Sequence, residues 1–190
     1  ELVRMMRADH IDPHYLEEEA LDSPMGTHTG AGVIFGATGG VMEAALRTVA
    51  EVVLGEEIAD VEYNDVRGME QTREAVIKVG EAEVKIAVVH TLASAKKMLD
   101  RIKEGTADYH FIEVMACPGG CIGGGGQPVP VNAEIRQKRR EALFECDRAN
   151  ELRKSHENPE IKVLYDTWLG KPLGEKAHSL LHTHYSEQKR

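Results

Sequence analysis

Two of the chain's three cysteines, Cys117 and Cys121, stand four positions apart in one glycine-rich run, Phe111-Ile112-Glu113-Val114-Met115-Ala116-Cys117-Pro118-Gly119-Gly120-Cys121-Ile122-Gly123-Gly124-Gly125-Gly126-Gln127-Pro128. Six of the 18 glycines fall here. Glycine lets backbone amides approach a bulky anionic group without side-chain obstruction and form a nest of donors around it. Two thiolates beside such a nest suit an iron-sulfur cluster, whose sulfides accept amide hydrogen bonds that tune its potential. The same residue types serve other ends. A zinc site usually has a fuller and closer-spaced ligand set, a redox dithiol is usually Cys-x-x-Cys, and a structural turn needs neither cysteine. A cubane needs more thiolates than this loop holds. The third cysteine, Cys146, lies in a helix-forming stretch, where a small buried apolar residue is the expected role.

The elements that position this loop follow from hydrophobic spacing. Tyr109 to Met115 reads as a strand, so the cysteine loop leaves the end of a sheet strand, where ligand loops of α/β sheets emerge. Val76 to Val79, a Gly80-Glu81 turn and Val84 to Val89 form a hairpin with one strand more deeply buried, within a region of alternation that starts near Ala59 and includes Val61 and Tyr63. Ala93 to Glu104 is an amphipathic helix stopped at Gly105. Upstream, Gly30 to Phe35 reads as a short buried strand, followed by the glycine turn Gly36-Ala37-Thr38-Gly39-Gly40 and a helix from Val41 to Leu54. The opening stretch, with Leu2, Met5 and Met6 in helical spacing, is a frayed helix and loop broken around Pro13 and Pro24. After Gln127 the composition turns to charged helix formers. Asn132 caps a helix to about Arg148, Asn158-Pro159 opens another that ends near Gly170, and a short one covers Glu175 to Leu181. The expected fold class is α/β, strands flanked by helices, with residues 1–130 as a lobe bearing the cysteine loop and residues 131–190 as a helical tail packed on it.

With 23 basic and 32 acidic residues the net charge is −9, which disfavours nucleic acid as a partner. No apolar run reaches the roughly 20 residues a membrane helix needs. An odd cysteine count, with two in one loop, points away from a secreted disulfide framework and toward a reducing cytoplasm. The N-terminus carries no information about targeting, because Glu1-Leu2-Val3-Arg4 has neither an initiating Met nor a charged region followed by an apolar core. Other groups have plainer readings. The Gly36 to Gly40 turn at a helix start could hold phosphate, but no Lys-Ser or Lys-Thr follows. His178, His182 and His184 are more simply surface or packing residues than metal ligands. Arg136, Lys138, Arg139 and Arg140 read as a solvated face or a docking patch for an acidic electron carrier. Glu43, Glu113 and His110 are as readily structural as proton relays.

The run from Phe111 to Pro128 resembles the third cysteine signature of the FeFe (iron-only) hydrogenase catalytic domain. Val33-Ile34-Phe35-Gly36-Ala37-Thr38-Gly39-Gly40-Val41-Met42-Glu43-Ala44-Ala45-Leu46-Arg47 resembles that family too, as do Arg153 to Pro159 and the closing Leu181 to Tyr185. The resemblance implies one lobe of a two-lobed domain and a terminus close to residue 190. It implies an H-cluster, a 4Fe-4S cubane linked to a two-iron unit with CO, CN and dithiolate ligands. By the same resemblance Cys117 is a terminal cubane ligand, Cys121 bridges cubane and two-iron unit, Met115 is the thioether packed near that unit, and Phe35, Gly36 and Val41 line its pocket. The family's other two cysteine signatures, with their proton-relay cysteine and lysine, do not occur in this sequence. The expected function is therefore part of a hydrogenase, interconverting hydrogen with protons and electrons and completed by the remaining part of the catalytic subunit. Ferredoxin or NAD(P)-linked subunits are the partners such a unit implies. The alternative is a hydrogenase-like scaffold for iron-sulfur assembly.

Overall fold

The computed structural model describes residues 1–20, 22, 26–59 and 61–186. Pro24, expected to break the opening segment, lies outside the described residues; that segment holds helix α1 (Leu2–Ala8) and a single 3-10 turn at Pro13–Tyr15.

The core is built on a three-stranded sheet in the order β1-β2-β3. Strands β1 (Thr72–Val79) and β2 (Ala82–His90) pair antiparallel, with Val79 opposite Ala82 across the Gly80-Glu81 turn. Gly80 sits at φ +61, a conformation that glycine adopts without steric cost. Strand β3 (Phe111–Met115) runs parallel to β2, and helix α4 (Leu92–Lys103) makes the crossover that a parallel pair requires. Being central, β2 is covered on both faces. Ile86 and Val88 pack with Met42, Leu46 and Ala50 of helix α3 (Gly40–Leu54), while Ala87 and Val89 pack with Ala95 and Met98 of α4. Each larger apolar side chain buried in this way contributes about 1.5–3 kcal/mol.

Val61 and Tyr63, expected in the alternating region, lie outside the sheet, ahead of a 3-10 turn at Asn64–Val66. A larger departure is the segment Gly30–Ile34, expected as a strand. It is a short helix, α2, capped by Thr29, whose Oγ1 accepts from Gly32 N at 3.2 Å. An apolar run this short carries no periodicity that separates helix from strand. Packing decides: Ile34 and Ala37 bury against Phe144 and Leu143 of helix α5 (Ala133–Ala149) and against Ile122 of the cysteine loop.

The tail follows its capping signals. Asn132 Oδ1 accepts from Ile135 N at the start of α5, and Asn158 with Pro159 opens α6 (Pro159–Leu164). A wider turn at Tyr165–Leu169 closes at Gly170, and α7 (Glu175–Leu181) follows. What ties α5 to α3 is charge. Arg47 is enclosed and donates to Glu43 at 2.7 Å, to both carboxylate oxygens of Asp147 at 2.7 and 2.8 Å, and to the carbonyls of Val61 and Arg153. Arg67 and Arg153 complete the network through Glu43, Glu62 and Asp147. Because Asp147 and Phe144 set the inward face of α5, Cys146 is turned to solvent, contrary to the buried role expected for it.

Candidate functional site

At the end of β3 the chain passes Met115 and enters the cysteine loop. Gly119 and Gly120 hold φ of +80 and +95 there, and Cys121–Gly123 form a 3-10 turn. The loop bonds to itself, Gly120 N to Cys117 O and Gly124 N to Cys121 O, both at 3.0 Å. It also bonds to the Gly36–Gly40 turn between α2 and α3. Ile122 N donates to Gly36 O at 3.1 Å, and Thr38 N donates to Gly119 O at 3.0 Å. A Cβ at Gly120 would lie 2.8 Å from Met115 Sδ, 2.8 Å from Thr38 N and 2.9 Å from Gly36 O. Two segments far apart in sequence, the Gly36–Gly40 turn and the end of β3 with its loop, thus meet where only glycine fits.

This junction brings together Met115, Gly36 and the Gly119–Cys121 backbone. Cys117 borders the same loop, its Sγ 3.6 Å from the position a Gly124 Cβ would take. Phe35 and Val41 flank the Gly36–Gly40 turn from the ends of α2 and α3. Cys121 is exposed, Cys117, Met115, Gly36 and Val41 are partly buried, and Phe35 is 45% exposed. Phe35 is therefore no core residue of this chain.

The loop is braced by a face of α5. Arg139 donates to the carbonyls of Ile122 and Pro128, both at 2.8 Å, and the Arg136 side chain crosses Gly119 and Gly123. Arg140 and Arg67 lie over the Phe144 ring at 4.9 and 4.5 Å. Of the basic cluster, only Lys138 keeps the solvated role, paired at the surface with Glu134. The spacing 136, 139, 140, 143, 144, 147 already places these arginines on the Phe144 stripe, a signal that charge alone obscures.

The acidic groups are structural here. Glu113 on β3 is 5% exposed and accepts from Gly39 N at 2.6 Å and Met42 N at 2.8 Å, so the N-terminus of α3 holds a carboxylate from its own chain. That occupancy removes the phosphate reading of the Gly36–Gly40 turn. Burial pushes the Glu113 carboxyl above the usual glutamate range, against the lowering effect of the two amides and Arg73. Glu43 is closed in by Arg47 and Arg67, and the ring of His110 accepts from Lys85 N. His178, His182 and His184 have their rings against one another on the surface, with centroids 4.4 and 5.8 Å apart. Among the described residues, no group of three or more His, Cys, Asp or Glu is placed to hold a metal ion.

For an iron-sulfur group the loop offers two free thiols, a thioether and, at Gly119, Gly120 and Gly123, backbone too closely packed for side chains. These features fit one side of such a group; the remaining thiolates would have to come from outside this chain.

Comparison with known proteins gives the arrangement a context. Residues 1–125 match the family model described as iron only hydrogenase large subunit, C-terminal domain, and residues 133–188 match that of the iron hydrogenase small subunit. The chain is 49% identical to the NADP-reducing hydrogenase subunit HndD of Solidesulfovibrio fructosivorans, over 100% of its own length and 32% of that protein. It is 32% identical to the cytosolic iron-sulfur assembly component 3 of Rattus norvegicus, over 79% of its length and 31% of that protein. The solved FeFe-hydrogenase HydA1 of Chlamydomonas reinhardtii superposes with a TM-score of 0.73 at 42% identity, covering 97% of this chain and 53% of that one. The chain thus spans about a third of the length of these curated relatives.

Proposed function

This chain belongs to the iron-only hydrogenase family, and we propose that it forms the C-terminal part of a hydrogenase catalytic unit that interconverts molecular hydrogen with protons and electrons. The observation that carries this reading is the junction at Gly120. There the Phe35–Val41 turn and the Cys117–Cys121 loop are hydrogen-bonded to each other around the Met115 thioether, on an open face of the lobe. In this reading Cys117 and Cys121 supply thiolates to an H-cluster, which when bound supplies the redox and hydrogen-binding chemistry. Met115, Phe35 and Val41 exclude water without offering exchangeable protons, which an open iron site requires. Gly36 and Gly120 let the two loops close on each other and on Leu143 of α5, which fixes the wall that a cluster would meet. The remaining part of the catalytic subunit supplies the other cubane ligands and the proton relay. Electrons leave through ferredoxin or an NAD(P)-linked subunit. Three free cysteines support a reducing, cytoplasmic setting; among the described residues no helix is long and apolar enough to cross a membrane.

Infrared spectroscopy after anaerobic assembly of the complete unit tests the proposal. Carbonyl and cyanide bands are expected in the parent and lost in Cys121→Ser, together with hydrogen turnover. Turnover retained in that variant would sink the assignment. The similarity to an iron-sulfur assembly component favours a second reading, a scaffold that holds iron-sulfur without hydrogen chemistry. Such a scaffold would show iron and no carbonyl or cyanide bands.

A further inference from the structure

The glycine amides expected to face an anionic group are largely engaged inside the cysteine loop. Gly120 N donates to Cys117 O, Gly123 N to Gly120 O and Gly124 N to Cys121 O, each at 3.0 Å, and Ile122 N donates to Gly36 O at 3.1 Å. Positive charge reaches the loop from another direction, the face of α5 packed behind it. Arg139 donates to the carbonyl of Ile122, the residue after Cys121, and to that of Pro128. Arg136 crosses the loop on both sides of Cys121, its Cδ 3.3 Å from the position a Gly119 Cβ would take and 2.8 Å from that of Gly123. Arg140 follows on the same face, over the Phe144 ring. All three are partly buried, and among the described residues none has a carboxylate within ion-pair distance. The arginines of the neighbouring network differ, since Arg47, Arg67 and Arg153 each hold carboxylates. At Arg140, burial and the charge of Arg67 push the guanidinium below its usual range. The back of the cysteine loop thus concentrates unneutralised positive charge in partly desolvated surroundings, where a charge acts more strongly than in water.

We infer that Arg136 and Arg139 set the redox balance of the iron-sulfur group held by Cys117 and Cys121, favouring its reduced state. The inference rests on the iron-sulfur reading above and adds to it the residues that offset the group's charge. One electron, delivered by the electron carrier of that reading, adds one negative charge to the group and makes or breaks no protein bond. Two guanidinium charges fixed at the loop stabilise the added charge and raise the reduction potential. Arg139 also braces the loop as a fork on two carbonyls. The Arg136 side chain makes no hydrogen bond among the described residues, so its electrostatic part is free of that second role.

Redox titration of the complete catalytic subunit with dithionite, followed by electron paramagnetic resonance of the reduced cubane, tests this. Arg136→Met keeps the length of the side chain and removes its charge. It should shift the reduction equilibrium about tenfold toward the oxidised state, about 59 mV for one electron. Arg139→Met should do the same and also melt earlier. Arg139→Lys separates the two roles: the charge stays and the fork is lost, so the melting temperature falls while the potential stays near the parent's. Lys138→Met removes a charge that is exposed and paired with Glu134, and should leave the potential unchanged. Should Arg139→Met fail to fold or to load iron, its melting curve and iron content show it, and Arg136→Met carries the comparison. The inference is overturned if Arg136→Met titrates like the parent, or if Arg139→Lys falls as far as Arg139→Met, since the potential would then follow the brace and not the charge. Either result leaves the iron-sulfur reading standing, whereas a parent subunit that binds no iron overturns both.

Discussion

At the scale of single residues, the cysteine loop has two kinds of glycine. Gly120 combines φ +95 with three neighbours inside 3.0 Å of a Cβ, whereas Gly125 has an ordinary φ and open space around it. Gly120→Ala should therefore cost about 2 kcal/mol or more, from left-handed strain and overpacking together, and Gly125→Ala almost nothing. Urea unfolding midpoints of the two variants check this; equal midpoints would refute the close approach. A second residue-scale expectation concerns Glu51 on α3. It accepts from Ile58 N at 2.7 Å, pairs with Lys154, and lies 2.6 Å from His156 Nε2. Led by the Ile58 amide, these partners hold its carboxyl down at about 2. Because the folded value is depressed, the stability it contributes is complete above the ordinary value of 4.5 and is lost as pH falls toward about 2. Glu51→Gln should flatten the acid limb of the stability curve between those values. An unchanged slope would mean the pairing is absent in solution.

Elements are held together by groups that local sequence cannot connect. Arg47 and Asp147 are 100 positions apart, yet their side chains are fully buried against each other, and Asp147 packs on Gly30. Asp147→Ala strips a buried guanidinium of one carboxylate and should cost about 3–5 kcal/mol, loosening α5 from α2 and α3. Limited proteolysis, with earlier cleavage ahead of Ala133 in the variant, reads that loosening directly. The same distinction explains what was legible beforehand. The hairpin at Gly80, helix α4 before Gly105 and the caps at Asn132 and Asn158 are written in neighbouring residues, and the structure has them where spacing puts them. Gly30–Ile34 was not legible, because its helical state depends on Phe144 and Asp147, more than a hundred positions away. Arg136 and Arg139 looked solvated for a different reason: the glycine loop that receives them lies close upstream in the chain, but a run of charge reads as a surface until that loop folds back onto α5. The site was half legible. Cys117, Cys121 and Met115 stand in one motif, and the resemblance added the Phe35–Val41 turn. The cap on α3 from Glu113 and the contact at Gly120 exist only once β3 and α3 are packed.

On the scale of the whole molecule, the proposed ligands lie at a surface. Cys121 is exposed, and Phe35, adjacent in chain to the Gly36 whose carbonyl accepts from Ile122 N, is 45% exposed. On the proposed reading a water-free iron site needs this open face to become an inner wall when the rest of a catalytic unit is present. Cys146 is also exposed but lies on α5, away from the inward stripe of Phe144 and Asp147, and serves as an internal control. Alkylation by iodoacetamide, followed by mass spectrometry, should modify Cys121 and Cys146 alike in the isolated chain. In the assembled unit Cys121 should be protected while Cys146 still reacts. If Cys121 stays reactive after assembly, the cysteine loop faces solvent in the working protein, and the buried-cleft reading of this lobe falls with it.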